Sequence, residues 1–139
     1  MLTEQMNAVI PAASRALDTL RNKPITPRQH TISDYSNGAM VGAAPQLFGL
    51  TGTTARLAVA YALIETAVNL LSDTPLGVKR VIPFRTHRVI DKWTGLAFLA
   101  AAFATDGLRN RRNRRYVIGQ AILGTAVYNL TDWNADTDR

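Results

Sequence analysis

The chain has 139 residues, room for one domain or two intimately packed halves, and no cysteine, which excludes disulfides and thiolate metal sites. Its formal charge is +6 and its pI is near 10.3. The positive charges fall between apolar segments, five within residues 79–92 and five within 109–115. That layout suits the flanks of membrane helices and lacks the continuous stripe of a nucleic-acid surface.

Residues 1–25 read as an N-terminal amphipathic segment. Leu2, Met6, Val9, Ala13, Leu17 and Leu20 recur at helical spacing, with Pro11 as a break. Such a segment either packs on the domain or lies in a membrane interface. Without a basic start followed by an apolar run, no secretory signal is expected.

Four apolar helices are predicted next. Thr26 can cap the first, Pro27 fits its first position, and Gln29 completes a capping box. This helix should run to about Leu50, with Gly52 near its stop. The second should run from about Thr53 to Ser72, followed by the turn Asp73-Thr74-Pro75-Leu76-Gly77. Pro83 opens the third and Gly107 ends it. Arg109 to Arg115 reads as a basic connector, the fourth helix as about Arg114 to Asp132, and residues 134–139 as a loose acidic tail.

The chain is written twice. Arg28-Gln29-His30-Thr31-Ile32-Ser33-Asp34 with Gly38 reappears as Arg85-Thr86-His87-Arg88-Val89-Ile90-Asp91 with Gly95. Further on, Thr66-Ala67-Val68 matches Thr125-Ala126-Val127, and Leu71-Ser72-Asp73 matches Leu130-Thr131-Asp132. A period of roughly 57–59 residues marks a tandem duplication. The expected halves are residues 26–74 and 75–133, each with two helices.

Helices of about 20–25 residues are roughly 30–37 Å long, enough to cross a hydrocarbon core of about 30 Å. Arg56, Glu65 and Asn69 interrupt the second, and Asp91, Lys92 and Asp106 the third. Yet the centres, residues 57–64 and 96–104, lack the polar stripe that a soluble surface helix shows. The predicted fold is therefore all-α: a four-helix transmembrane bundle of two tandem parallel two-helix repeats, preceded by the amphipathic helix. A soluble four-helix bundle is the alternative.

Ala44-Pro45-Gln46-Leu47-Phe48-Gly49, late in the first helix and trailed by a second helix ending Leu71-Ser72-Asp73, resembles the SPW repeat. The upstream His30, Asp34 and Gly38 spacing is similar to that family too. Ala44 stands for its serine and Gln46 for its tryptophan, and the second copy, Ala101-Ala102-Phe103, lacks the proline. The resemblance covers residues 26–133. It implies a small bacterial integral-membrane protein with two membrane helices per repeat, and it carries over no activity, cofactor or catalytic residue.

With an even number of helices per repeat, both copies enter the membrane from the same side, related by an axis along its normal. His30, Asp34, Asp73, His87, Asp91 and Asp132 are then expected at one end as a polar cluster. About ten basic residues flank that end and about six the other, which favours cytoplasmic termini in a bacterial cytoplasmic membrane.

His and Asp four residues apart share a helix face, so His30 can meet Asp34 and His87 can meet Asp91. The preferred reading is polar glue, in which Arg28 and Arg85 join the cluster to tie helix ends together. A divalent metal or a proton relay is the alternative. The Glu-x-x-His pair of di-iron bundles is missing, and Arg28, Arg85 and Arg88 would oppose a cation, so no metal and no cofactor is assigned. Glu65 stands alone as an intramembrane acid, with Tyr61, Gln120 and Thr125 as expected neighbours. Gly38 and Gly42 allow close approach of helices, more simply within the chain than in a dimer.

The basic loop of Arg109, Arg111, Arg112, Arg114 and Arg115 lacks interleaved aromatics, so anionic lipid headgroups are expected there and nucleic acid is not. No nucleophile elbow, phosphate loop or Ser/His/Asp triad stands out. The expected function is non-enzymatic: a structural or interaction role in the bilayer, as in an accessory subunit of a membrane complex, with a protein partner or a second copy. A soluble bundle binding an acidic partner through the arginines is the third reading.

Overall fold

The computed structural model describes residues 21–137 together with residues 11, 14, 15, 17 and 18. Most of the amphipathic segment expected over residues 1–25 lies outside the described residues, as does the end of the acidic tail. Among the described residues the four long helices are α1 (Pro27–Phe48), α2 (Gly52–Leu71), α3 (Phe84–Ala104) and α4 (Arg111–Leu130). Among the described residues the only extended pairing is two isolated parallel bridges.

The helix ends follow local chemistry. At α1, Thr26 Oγ1 accepts the Gln29 N–H at 3.2 Å and Gln29 Oε1 accepts the Thr26 N–H at 2.9 Å, the full capping box. The helix stops at Phe48, two residues before the expected end, because Gly49 takes the left-handed conformation at φ +63°. Gly52 opens the second helix instead of closing the first. Its φ is +66°, and an added Cβ would lie 1.9 Å from a carboxylate oxygen of Asp106.

The fourth helix starts at Arg111 and not at Arg114, because the Asn110 side chain accepts the Asn113 N–H at 2.8 Å. Four of the five arginines expected in a connector therefore belong to the first turns of α4.

Helices α1 and α2 approach closely where the glycines allow it. A Cβ on Gly38 would sit 3.3 Å from Thr66 Oγ1, and one on Gly42 would sit 3.4 Å from the Ala62 methyl. The Gly-x-x-x-Gly face is thus spent within the chain. Along α4, by contrast, Gly119 and Gly124 have no neighbour within 4 Å of an added Cβ.

Two short crossings hold one end of the bundle. After α2, Asp73 N–H donates to the Ile82 carbonyl at 2.7 Å and Ile82 N–H to the Leu71 carbonyl at 2.9 Å. After α4, Asp132 N–H donates to the Ile25 carbonyl at 2.9 Å and Ile25 N–H to the Leu130 carbonyl at 3.1 Å. The strand-like residues that precede α3 and α1 are thereby pinned to the ends of α2 and α4.

The interior inverts the usual pattern. Ten apolar residues are buried among those described, four of them alanine, and ten polar or charged residues are buried beside them. Along α2 the inward stripe is Thr54, Ala58, Ala62, Glu65 and Asn69, while Val59, Leu63, Ile64 and Leu70 face outward. Among the described residues one helix, Gly52–Leu71, is long and apolar enough to cross a membrane, where four spans were expected, and only 28% of its apolar window is buried.

Candidate functional site

The start of α1 and the start of α3 bring His30, Asp34, His87 and Asp91 together. Residues four apart on a helix share one face, and each helix turns its His/Asp face to the other. His30 Nε2 lies 3.1 Å from Asp34 Oδ2 and 3.0 Å from Asp91 Oδ2. His87 Nε2 lies 3.2 Å from Asp34 Oδ2 and 3.1 Å from Asp91 Oδ2. Four side chains thus converge through four atoms, two nitrogens and two oxygens. Both imidazoles are fully buried and both carboxylates nearly so.

The far ring nitrogens are held as well. His30 Nδ1 lies 2.9 Å from Thr131 Oγ1, and His87 Nδ1 lies 2.7 Å from Ser72 Oγ. Each hydroxyl in turn donates to a carbonyl one turn back, Thr131 to Val127 at 2.7 Å and Ser72 to Val68 at 2.6 Å. A hydroxyl has one proton to give. With it committed to the carbonyl, the oxygen accepts from the imidazole, so Nδ1 carries the hydrogen in both rings. His30, at the start of α1, is therefore oriented by the hydroxyl just after α4, and His87, at the start of α3, by the hydroxyl just after α2.

Trp133 and Phe84 close the cluster from the end of the bundle. The Trp133 ring lies 4.5 Å from His30 and 5.1 Å from Phe84, centroid to centroid. The indole N–H donates to the Tyr128 carbonyl at 2.9 Å, which fixes the ring.

Asp73 and Asp132 do not join the four. Their backbone N–H groups make the crossings, and Asp132 Oδ1 accepts the Asn134 N–H at 3.0 Å. Their neighbours Ser72 and Thr131 take the place expected for them. The register Leu-Ser-Asp against Leu-Thr-Asp carried that signal, because the hydroxyl repeats as faithfully as the carboxylate. Arg28, Arg85 and Arg88 are exposed rather than part of the cluster, and Arg88 Nε donates to the Tyr128 hydroxyl at 3.2 Å.

Glu65 is buried and meets α3 instead of α1 or α4: Thr94 Oγ1 lies 2.9 Å from its Oε1. Tyr61, Gln120 and Thr125, the neighbours expected from the sequence, share with it the wall of a cleft of about 630 Å³. This cleft opens between α1, α3 and α4 and reaches His30, Asp34 and Asp91.

The basic arginines are all exposed at the opposite end, Arg112 lying over Gly49. Beneath them is a second polar set. Asp106 accepts the N–H groups of Thr53 and Thr54 at 2.7 and 2.8 Å and the Thr54 hydroxyl as well. These bonds, the Thr54 hydroxyl foremost, hold its carboxyl below the ordinary aspartate range. Asn113 donates to the Thr51 carbonyl and accepts the Thr51 N–H, both at 3.2 Å.

Comparison with known proteins yields no matching family model, no matching curated sequence and no matching solved structure. Function must therefore be argued from the site and the surface.

Proposed function

We propose that the chain is a membrane-embedded four-helix protein made of two like halves, with a role in structure or binding and not in catalysis. The distribution of side chains carries this reading. Leu63 is 68% exposed, Ile122 67% and Trp93 63%, and Ile32, Val89 and Leu96 are close to half exposed. Meanwhile Glu65, Asn69, Asn113 and both histidines are inside.

Burying a large apolar side chain is worth about 1.5–3 kcal/mol. Ten half-exposed ones in water forgo on the order of 10 kcal/mol, comparable with the whole net stability of a domain at about 5–15 kcal/mol. Lipid removes that loss. It also suits an interior of small and polar residues, since helices in a bilayer associate by close packing and interhelical hydrogen bonds. The one qualifying span is mostly outward-facing, whereas the core helix of a soluble protein would be mostly buried.

Lys92 is the outlier, about 12 Å along α3 by helical rise. Its long stem can carry the ammonium toward the nearer interface. The arginines at the start of α4 lie where anionic headgroups would meet them. Resemblance to the SPW repeat supports the same location. The paired crossings, Ile25 with Thr131 and Ile82 with Ser72, support two like halves, because both members of one pair are repeat mates of the other.

Expression followed by an alkaline carbonate wash tests the proposal. Retention in the membrane pellet with release only by detergent is expected. A compact monomer in the supernatant would sink it and leave a soluble bundle with a basic end.

A further inference from the structure

We infer that His30, Asp34, His87 and Asp91 form a tetrahedral site for a divalent transition ion, with Zn²⁺ the best fit. Four observations support this assignment independently of where the bundle resides.

The first is geometry. The four nitrogen-to-oxygen separations lie between 3.0 and 3.2 Å, and all four candidate ligand atoms lie within 4.8 Å of one another. An ion bound tetrahedrally at about 2.0–2.1 Å holds its ligand atoms about 3.3 Å apart. The second is directionality. Each Nε2 faces two carboxylate oxygens at nearly equal distance, and each Oδ2 faces two ring nitrogens. One N–H aims at one acceptor, so protons leave two of the four contacts poorly aligned. A single cation at the centre satisfies all four.

The third is the tautomer. Ser72 and Thr131 hold a hydrogen on Nδ1 of each ring, so Nε2 is the nitrogen that faces the cluster and that would ligate an ion in place of its proton. Metal-bound histidines are oriented in this way by their outer partners. The fourth is charge. Ligation requires both imidazoles neutral, and once each Nε2 proton is displaced the two carboxylates cancel the charge of a divalent ion. Arg28, Arg85 and Arg88, which the sequence set against a cation, are exposed on the outside.

The donor set selects among metals. Ca²⁺ and Mg²⁺ favour oxygen alone, and the absence of sulfur leaves an imidazole–carboxylate set suited to Zn²⁺ and its neighbours Co²⁺ and Fe²⁺. Trp133 and Phe84 wall the site from the bundle end, and the cleft that reaches His30, Asp34 and Asp91 gives an ion its way in.

The test uses the full chain, stripped with chelator, confirmed helical and monodisperse, then titrated with Zn²⁺ and separately with Co²⁺. One equivalent of Zn²⁺ retained through dialysis is expected, with the intense visible d–d bands of tetrahedral Co²⁺. Asp91→Asn should weaken retention at least tenfold, and Ser72→Ala by about 10–100-fold, as loss of an outer partner does. Folded wild-type chain that retains no Zn²⁺, or that gives only the weak bands of octahedral Co²⁺, would overturn the site. So would wild-type affinity in a folded Asp91→Asn. Should that variant fail to fold, the wild-type Co²⁺ spectrum decides alone. Zn²⁺ retained by a chain that carbonate releases from the membrane would leave this site standing and sink only the membrane proposal.

Discussion

The two ends of the bundle use polar residues in opposite ways. At the basic end, Asp106 and Asn113 spend their side-chain atoms on backbone. They satisfy the N–H groups of Thr51, Thr53 and Thr54, which a helix start leaves without partners, and Asn113 adds a bond to the Thr51 carbonyl. At the other end, two histidines and two aspartates spend their atoms on one another, while Ser72 and Thr131 orient them from behind. The first arrangement closes loops and needs nothing else. The second converges four potential ligand atoms, two nitrogens and two oxygens, on one point, which loop closure does not require. Reach differs too: Asp106 and Asn113 serve one joint, whereas the cluster draws on the starts of α1 and α3 and on the ends of α2 and α4.

The comparison is broken most forcefully at the histidines. His87→Ala leaves two buried carboxylates facing each other with one cation fewer, and removing one partner of such a set costs about 3–5 kcal/mol. Thermal unfolding followed by circular dichroism should show a loss of that order, together with loss of bound Zn²⁺. A change below about 1 kcal/mol would mean the cluster is not the tie it looks like. Next comes Gly52→Ala at the basic end. The new methyl meets Asp106 at a positive φ, and strain of this kind costs about 1–3 kcal/mol. Here Zn²⁺ binding should stay at the wild-type level, which is what separates the two ends.

A smaller effect is expected from Asp106→Asn, read as a pH profile. Its folded carboxyl titrates below the unfolded value of 3.8, so its stabilisation is present above that value and fades as pH falls through the lower folded one. Wild type should therefore lose its advantage over Asp106→Asn only below about pH 4. Parallel profiles down to pH 2 would contradict the assignment. The smallest effect is at Arg111, a positive charge at the positive end of the α4 dipole. Arg111→Glu should stabilise the isolated protein by about 0.3–1 kcal/mol while weakening its hold on anionic vesicles.

Much of this was legible in the sequence. The capping box at Thr26 and Gln29, the four helices and the meeting of His30, Asp34, His87 and Asp91 follow from local rules and the repeat. The orienting hydroxyls were harder to see, because Asp73 and Asp132 beside them are stronger-looking candidates. A carboxylate at a helix end advertises itself, but the residue one position earlier faces inward. Asp106 was misread in a similar way. Counted as a charge that interrupts an apolar helix, it instead caps the start of α2, a tertiary contact that no spacing rule predicts. Glu65 met Thr94 because α2 packs on α3 at that level, and this too is decided by packing. Arg111 joined a helix because Asn110 caps it, a signal present in the sequence and masked by the run of arginines.

The chain has two tryptophans, and they sit on opposite sides of the central claim. Trp93 is 63% exposed near the middle of α3, and Trp133 is 6% exposed inside the bundle. Fluorescence in vesicles containing brominated lipid distinguishes them, with Trp93→Phe and Trp133→Phe isolating each signal. A membrane-embedded, inside-out bundle predicts blue-shifted Trp93 emission strongly quenched by bromines deep in the acyl chains, with Trp133 quenched little. Red-shifted Trp93 emission that acrylamide quenches and brominated lipid does not would contradict the account.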